Sequence, residues 1–263
     1  MNWSMFSIDL TVWELLLFAV AGISAGVINT LAGSVSLITL PLLMFVAGLP
    51  ASIANATNRV GVLLQAVVGV LGFRKMETTN YHNSGWILVP AVIGSVLGAR
   101  IAVGLSERSM NYIIGGLMIF MLLVLLFRPE RWIRESVGDT SRHRRPFNLA
   151  VFFLIGVYGG FLQVGVGIFI LAALVLLNGF SLRSGNGIKL LLVTAFTLPA
   201  LLLFLAYGQV HLGYGLLMAG FQSIGASLAV RFSARFQDAN RWIYRLLIVI
   251  VALSAFKMLI ENT

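Results

Sequence analysis

Charged side chains are scarce in this sequence: Asp, Glu, Lys and Arg make up 10% of its 263 residues. Soluble domains usually carry about 25%. Stretches without any of these four residue types recur, at 15–58, 60–73, 78–99, 109–127, 146–182 and 190–230. A helix needs about 20 apolar residues to cross a bilayer, and the hydrophobicity is continuous, whereas a barrel strand alternates. The sequence therefore predicts an all-α integral membrane protein.

Cysteine is absent, which excludes disulfides and thiolate metal sites. Carboxylates and histidines are absent from the middle of every apolar stretch. The carboxylates are Asp9, Glu14, Glu77, Glu107, Glu130, Glu135, Asp139, Asp238 and Glu261, and the histidines are His82, His143 and His211. Proton relays and many cation sites depend on buried Asp, Glu or His. We therefore expect an anionic substrate, no metal and no cofactor.

The basic residues give a net charge of +9 but do not indicate a nucleic-acid partner. They fall in short loops between apolar stretches, where the positive-inside rule places them in the cytoplasm. The most basic loop, 128–146, holds Arg128, Arg131, Arg134, Arg142, Arg144 and Arg145. The first twelve residues contain no Lys or Arg, so no signal-peptide n-region is recognised and the first apolar stretch is expected to be retained.

The two halves of the sequence resemble each other. Three pairs of segments align in order: GISAGVINTLAG (22–33) with GVYGGFLQVGVG (156–167), GLPASIANATNR (48–59) with GFSLRSGNGIKL (179–190), and GARIAV (98–103) with GASLAV (225–230). The alignment pairs polar residues inside apolar stretches: Asn29 with Gln163, Asn55 with Asn186, and Asn58 with Lys189. An ordered series of this kind predicts an internal duplication.

Each half contains five apolar segments. They are 12–31, 34–50, 52–73, 85–104 and 110–127, and then 147–164, 166–180, 185–207, 212–230 and 242–260. An odd number per half makes the two halves insert in opposite orientations. The loop charges agree with opposite orientations, since Arg74 and Lys75 follow the third segment whereas its counterpart, 208–211, contains no Lys or Arg. Arg100 and Arg108 count against opposite orientations.

The predicted fold has about ten helical segments, or 8–10 spans, in two inverted repeats of five. Residues 1–127 form the first repeat and 147–263 the second; 128–146 is a cytoplasmic loop, and both termini face the periplasm. Inverted repeats with broken or re-entrant helices at their interface are typical of secondary transporters. The first two segments of each half total only about 35 residues, so a re-entrant hairpin and two full crossings both remain open.

Polar residues inside the apolar stretches mark a candidate site, because such groups are costly in a bilayer. On the third segment, Asn55, Asn58, Arg59 and Gln65 share one helical face, and on its counterpart the shared face carries Asn186, Lys189, Thr194 and Thr197. The alternative is that these residues hold helices together while the two cations snorkel to an interface.

Glycine-rich breaks follow Asn29 and Gln163. The sequences are AGSVS (32–36) and GVG (165–167), with Gly33, Ser34, Gly165 and Gly167 as candidate gate residues. A helix broken inside the membrane exposes main-chain N–H groups that suit an anion. The alternative is close helix packing through small residues.

These motifs resemble the sulfite exporter TauE/SafE family. The resemblance rests on GVINTLAGSVSLITLP (26–41), GLPASIANATNRVGVLLQAVVGVLGFRK (48–75), GVYGGFLQVGVGIFILAALVLLNG (156–179) and GNGIKLLLVTAFTLPALL (185–202). It implies a bacterial inner-membrane permease for sulfite, organosulfonates and related anions. By position, it places the family's characteristic polar residues at Asn29, Asn55, Thr57, Asn58, Arg59, Gln163, Asn186 and Lys189. The chain departs from the family pattern at Ser34 and Val35, which interrupt the glycine run, and at His211, where an acidic residue is common.

We therefore expect a multi-pass membrane transporter, and not an enzyme, that exports a small anion by alternating access. Asn29, Asn55, Asn58, Arg59, Gln163, Asn186 and Lys189 are the expected substrate-binding residues. The expected partners are the small anionic substrate and the lipid bilayer, and a homo-oligomer is left open. An anion channel, or an importer of a sulfur-containing or carboxylate anion, is the alternative.

Overall fold

The computed structural model describes residues 6–31, 33, 36–75, 85–126 and 146–231. These ranges contain nine helices: α1 Val12–Leu31, α2 Ser36–Phe45, α3 Ala51–Lys75, α4 Gly85–Val103, α5 Glu107–Leu126, α6 Pro146–Phe161, α7 Val166–Ala172 with a π-helical end at Ala173–Leu177, α8 Leu182–Ala206 and α9 Leu212–Arg231. Each corresponds to one segment expected from the sequence. The expected segment 242–260 and nearly all of the basic loop 128–146 lie outside the described residues.

Six helices in the described ranges are long and apolar enough to cross a membrane, namely α1, α3, α4, α5, α8 and α9. The short α2 has 10 residues, which reach about 15 Å, half the thickness of the hydrocarbon core. The sequence-based estimate of 8–10 spans counted such short helices as potential crossings. Several large apolar side chains point outward, including Val89 at 61% and Leu202 at 58% exposure, as expected of a surface that contacts lipid.

The centre of the bundle is formed by α3 and α8, which pack in antiparallel directions. Near the start of α3, the Arg59 guanidinium lies 4.8 Å from the centre of the Phe204 ring, near the end of α8. Near the end of α3, Gly69 packs against Leu190, near the start of α8. Residues near the start of α3 therefore lie beside the end of α8, and residues near the end of α3 lie beside the start of α8.

Two outer pairs of parallel helices flank this centre. In the pair α1 and α9, the rings of Phe18 and Tyr214 lie 5.9 Å apart, and Gly26, two turns further, packs against the main-chain carbonyl of Gln222. The pair α4 and α6 is built in the same way through glycines. Because glycine has no side chain, the two backbones of each pair approach closely, which is how membrane helices commonly associate.

The ends of the central helices are fixed by side-chain caps. At the start of α3, the Glu107 carboxylate accepts hydrogen bonds from the main-chain N–H and hydroxyl of Ser52 and the main-chain N–H of Ala51. At the start of α8, Ser181 Oγ accepts from the main-chain N–H of Ser184 at 3.2 Å. Both caps satisfy N–H groups that have no partner within the helix.

Candidate functional site

Two helix breaks touch each other inside the bundle. The first separates α1 from α2 and contains Gly33, whose φ is 84°. The second separates α6 from α7. A Cβ added to Gly33 would lie 2.6 Å from the backbone of Gly167, so no side chain fits between the two segments at this point.

The second break begins earlier than the sequence suggested. It runs from Leu162 to Gly165, and Gly167 already lies in the first turn of α7. Gln163, with φ 63°, and Gly165, with φ 65°, both adopt the left-handed conformation there. Ser34, the remaining expected gate residue, lies outside the described residues.

Lys189 on α8 is fully buried and binds the end of α1. Its Nζ donates hydrogen bonds to the main-chain oxygens of Asn29 at 2.8 Å and Thr30 at 3.1 Å. A third bond goes to Oδ1 of Asn186 at 2.8 Å. The ammonium therefore neutralises the negative end of the α1 dipole.

Arg59 on α3 does the same for α6. Its Nη1 donates to the main-chain oxygen of Gly159 at 2.9 Å, and Nη2 donates to that of Gly160 at 2.7 Å. Nε is buried and has no hydrogen-bond partner among the described residues. Arg59 and Lys189 are both 0% exposed, so neither snorkels to an interface in this conformation.

The asparagines of α1 and α3 hold the breaks in place. Asn29 Nδ2 donates to Gln65 Oε1, and Asn55 Nδ2 donates to the main-chain oxygen of Phe161 at 3.0 Å. Asn58 joins α3 to α2, donating to Ser36 Oγ at 3.0 Å and accepting from Thr39 Oγ1 at 2.6 Å. All of these polar groups are nearly inaccessible from outside the bundle.

Gln163 lies in the second break, where its backbone and side chain point to different helices. Its Nε2 donates to Thr197 Oγ1 on α8 at 2.6 Å, and its main-chain oxygen accepts from Ser36 Oγ at 3.5 Å. Its Oε1 has no partner among the described residues. Six of the seven expected site residues thus lie in the two breaks, lie on the helix ends beside them or bind those ends, and Asn186 is linked to the end of α1 through Lys189.

Comparison with known proteins finds a matching family and several relatives. A model of the family described as "Sulfite exporter TauE/SafE" matches residues 18–258, most of the chain. This chain belongs to the TauE/SafE family. It is also similar to three bacterial proteins described as probable membrane transporters: ORF9 of a Sinorhizobium species at 27% identity (97% of this chain, 96% of the relative), a protein of Haemophilus influenzae at 29% (82% and 83%), and YfcA of Escherichia coli K12 at 27% (90% and 87%). No solved structure matches the chain.

The TauE/SafE membership makes the protein a transporter and not an enzyme. The helices and the family together identify a multi-pass protein of the bacterial inner membrane.

The TauE/SafE protein also buries polar residues that the sequence did not assign to the candidate site. Gln65 and Thr197 lie on the polar faces recognised in the sequence, and each bonds one of the expected amides. Ser36 and Thr39 lie on α2, where no polar face is recognisable in a helix of 10 residues. Gln222 on α9 is fully buried, and neither atom of its amide has a partner among the described residues. It lies on the buried face of α9, with Gly215, Ala219 and Ala226 at helical spacing, so this face of small residues was the signal that could have identified it.

Proposed function

We propose that the protein exports small anions such as sulfite, organosulfonates or related sulfur oxyanions. The observation that carries this proposal is the charge at the site. Among the described residues, Arg59 and Lys189 are the buried charged groups, and no buried carboxylate accompanies them. Two buried cations without a counter-ion are costly, and an anionic substrate supplies the missing negative charge.

The proposed mechanism is alternating access between two inverted repeats, 1–127 and 147–263, linked by a cytoplasmic loop at 128–146. Matching glycine contacts support this division. Gly98 packs on the main-chain oxygen of Val157, and Gly225 packs on that of Ile23. The sequence repeat aligns Gly98 with Gly225 and Ile23 with Val157. Helix one of each proposed repeat therefore packs against helix four of the other, as a two-fold relation requires.

The contact between Gly33 and Gly167 supports the same relation. The sequence repeat aligns these two glycines with each other, and contact between equivalent residues is expected on a two-fold axis. By length alone α1 could cross the bilayer, but in this arrangement α1 with α2, and α6 with α7, form re-entrant hairpins that enter from opposite sides and meet at the axis. The proposed substrate site lies beside this contact, near the midplane.

The proposed ligands act in two ways. Arg59 and Lys189 attract the anion by their charge, and Asn29, Asn55, Asn58, Gln163 and Asn186 supply and orient hydrogen bonds. Gln163 is suited to switch partners. Rotation of its amide by about 180° lets Thr197 donate to Oε1, which frees Nε2 for a substrate oxygen.

Export needs no coupling ion in this proposal. The cell interior is electrically negative, and one charge moved across yields about 2.3 kcal/mol per 100 mV. A monoanion formed inside is therefore driven outward by the potential alone. The described part of the chain has no group of His, Asp and Glu side chains that could hold a metal ion.

The test is transport in proteoliposomes loaded with sulfite, sulfoacetate, taurine, sulfate or thiosulfate under an imposed potential. We expect saturable flux of one or more sulfur anions, with an initial rate that follows the potential. Flux that rises linearly with concentration would identify a channel. Accumulation against an inside-negative potential only with a Na⁺ or proton gradient would identify a coupled importer and refute the proposal.

A further inference from the structure

The amino group of Lys189 is enclosed by three oxygen atoms. They are the main-chain oxygens of Asn29 and Thr30, at 2.8 and 3.1 Å, and Oδ1 of Asn186, at 2.8 Å. An ammonium group has three N–H bonds, and these three oxygens use all of them. The side chain therefore has no donor left for a substrate while it occupies this position.

Such a set of oxygens suits a small free cation equally well. Hard cations bind oxygen ligands, which include main-chain and side-chain amide carbonyls, and unwound backbone carbonyls and helix C-termini coordinate Na⁺ in secondary transporters. The last carbonyls of α1 also carry the negative end of the helix dipole. The end of α1 therefore stabilises positive charge. In this structure the charge comes from Lys189 of α8, which is 160 positions away from Asn29 in the sequence.

We propose that the Lys189 ammonium is a resident cation that fills a latent monovalent-cation site at the end of α1. Lys189 supplies the positive charge that a cation from solution would otherwise bring to this position. The consequence for transport rests on the function proposed above. The anion meets a positive charge that is already in place, so its binding and flux require neither Na⁺ nor K⁺.

The end of α6 does not offer an equivalent site. Arg59 bridges the carbonyls of Gly159 and Gly160 through Nη1 and Nη2. Its remaining nitrogen, Nε, has no hydrogen-bond partner among the described residues. A planar guanidinium across two carbonyls does not outline the compact set of three oxygens that surrounds Lys189. The three-oxygen arrangement is therefore found at the end of α1 and not at the end of α6.

The experiment measures thermal unfolding of Lys189→Ala in detergent, with no sulfur anion present. NH₄⁺, Na⁺ or K⁺ replaces choline at constant chloride and ionic strength. We expect a saturable rise in the unfolding midpoint of about 5 °C at a cation concentration a hundredfold above its Kd. The wild type, whose site is filled, should show no rise. Lys189→Met, which fills the space with an apolar chain, should also show none.

Removing one oxygen provides a second check. Lys189→Ala combined with Asn186→Ala leaves two carbonyls, and we expect its cation affinity to fall about tenfold. An unchanged midpoint in folded Lys189→Ala with all three cations overturns the inference, whether or not the protein transports sulfur anions.

A wild-type measurement keeps the inference testable if Lys189→Ala does not fold. Replacement of Na⁺ and K⁺ by choline on both sides of the membrane should leave anion flux unchanged. A requirement for either cation overturns the inference. If Lys189→Ala binds a cation but the wild type moves none of the tested anions, the cation site is supported and the proposed substrate class is refuted.

Discussion

Gln163 shows how a single residue combines backbone strain with a polar contact. Its φ of 63° is unfavourable for a residue with a side chain, by about 1–3 kcal/mol. Its amide bonds Thr197. Backbone and side chain can therefore be tested separately, because glycine removes both the amide and the strain, whereas alanine removes the amide and keeps the strain.

We predict that Gln163→Gly is more stable than Gln163→Ala by about 1 kcal/mol, since glycine adopts this conformation freely. Both variants should lose apparent substrate affinity by about tenfold or more, because a hydrogen bond to a charged group is worth roughly 1.5–3 kcal/mol. Thermal unfolding and concentration-dependent flux measure the two effects. Asn148→Ala is the control: this buried asparagine bonds Asn178, away from the breaks, so affinity should not change. Unaltered affinity in both Gln163 variants would remove this residue from the substrate site.

The glycines decide how closely helices approach. A Cβ on Gly225 would overlap the main-chain oxygen of Ile23, and a Cβ on Gly98 would overlap that of Val157. A backbone carbonyl cannot move aside as the tip of a flexible side chain can. Either pair of helices must therefore separate to admit a methyl group.

We predict that Gly225→Ala and Gly98→Ala each lower stability by about 1–3 kcal/mol. Gly220 lies on the same helix as Gly225 but faces open space. Gly220→Ala should be neutral or stabilising by up to about 1 kcal/mol, because alanine restricts the unfolded chain. Thermal unfolding of the three purified variants in one detergent measures these changes in stability. A loss in Gly220→Ala as large as in Gly225→Ala would mean that close approach is not the cause.

At the scale of the helices, the sequence predicted where each helix lies along the chain and, for α3 and α8, which face is polar. The start and end of α1 were predicted at the residues where the structure has them, because both depend on where apolar residues and glycines occur. The short α2 was drawn too long, from 34 to 50, although the helix ends at Phe45. The last residues of the predicted segment, 46–50, form the turn that leads through Gly48, with φ 64°, to α3.

At the scale of the whole molecule, the proposed topology places both termini in the periplasm and 128–146 in the cytoplasm. The absence of cysteine allows a clean test with Ser141→Cys and Thr263→Cys. An impermeant thiol reagent added to intact cells with a permeable outer membrane should label position 263 and not position 141. Labelling of position 141 from outside would contradict the inverted arrangement, and cells opened before labelling provide the positive control.

The sequence by itself determined that this is a helical membrane protein and which residues are candidates for its site. Hydrophobic length, loop charge and the helical period are local properties, so they are readable along the chain. They marked Arg59 and Lys189 as candidate intramembrane cations, because a charged residue inside an apolar stretch is costly in a bilayer, and they left snorkelling to an interface open.

Only the tertiary structure decided what those residues contact. Lys189 binds carbonyls of α1, and Arg59 binds carbonyls of α6, at separations of 160 and 100 residues. Main-chain oxygens are present at every residue, so the sequence cannot say which of them faces a given cation. That depends on where a helix ends inside the bundle and which helix crosses it there. The same reason applies to Gln222. The small residues of α9 mark its buried face, but only the fold shows that its amide lies beside Gly61 of the neighbouring α3.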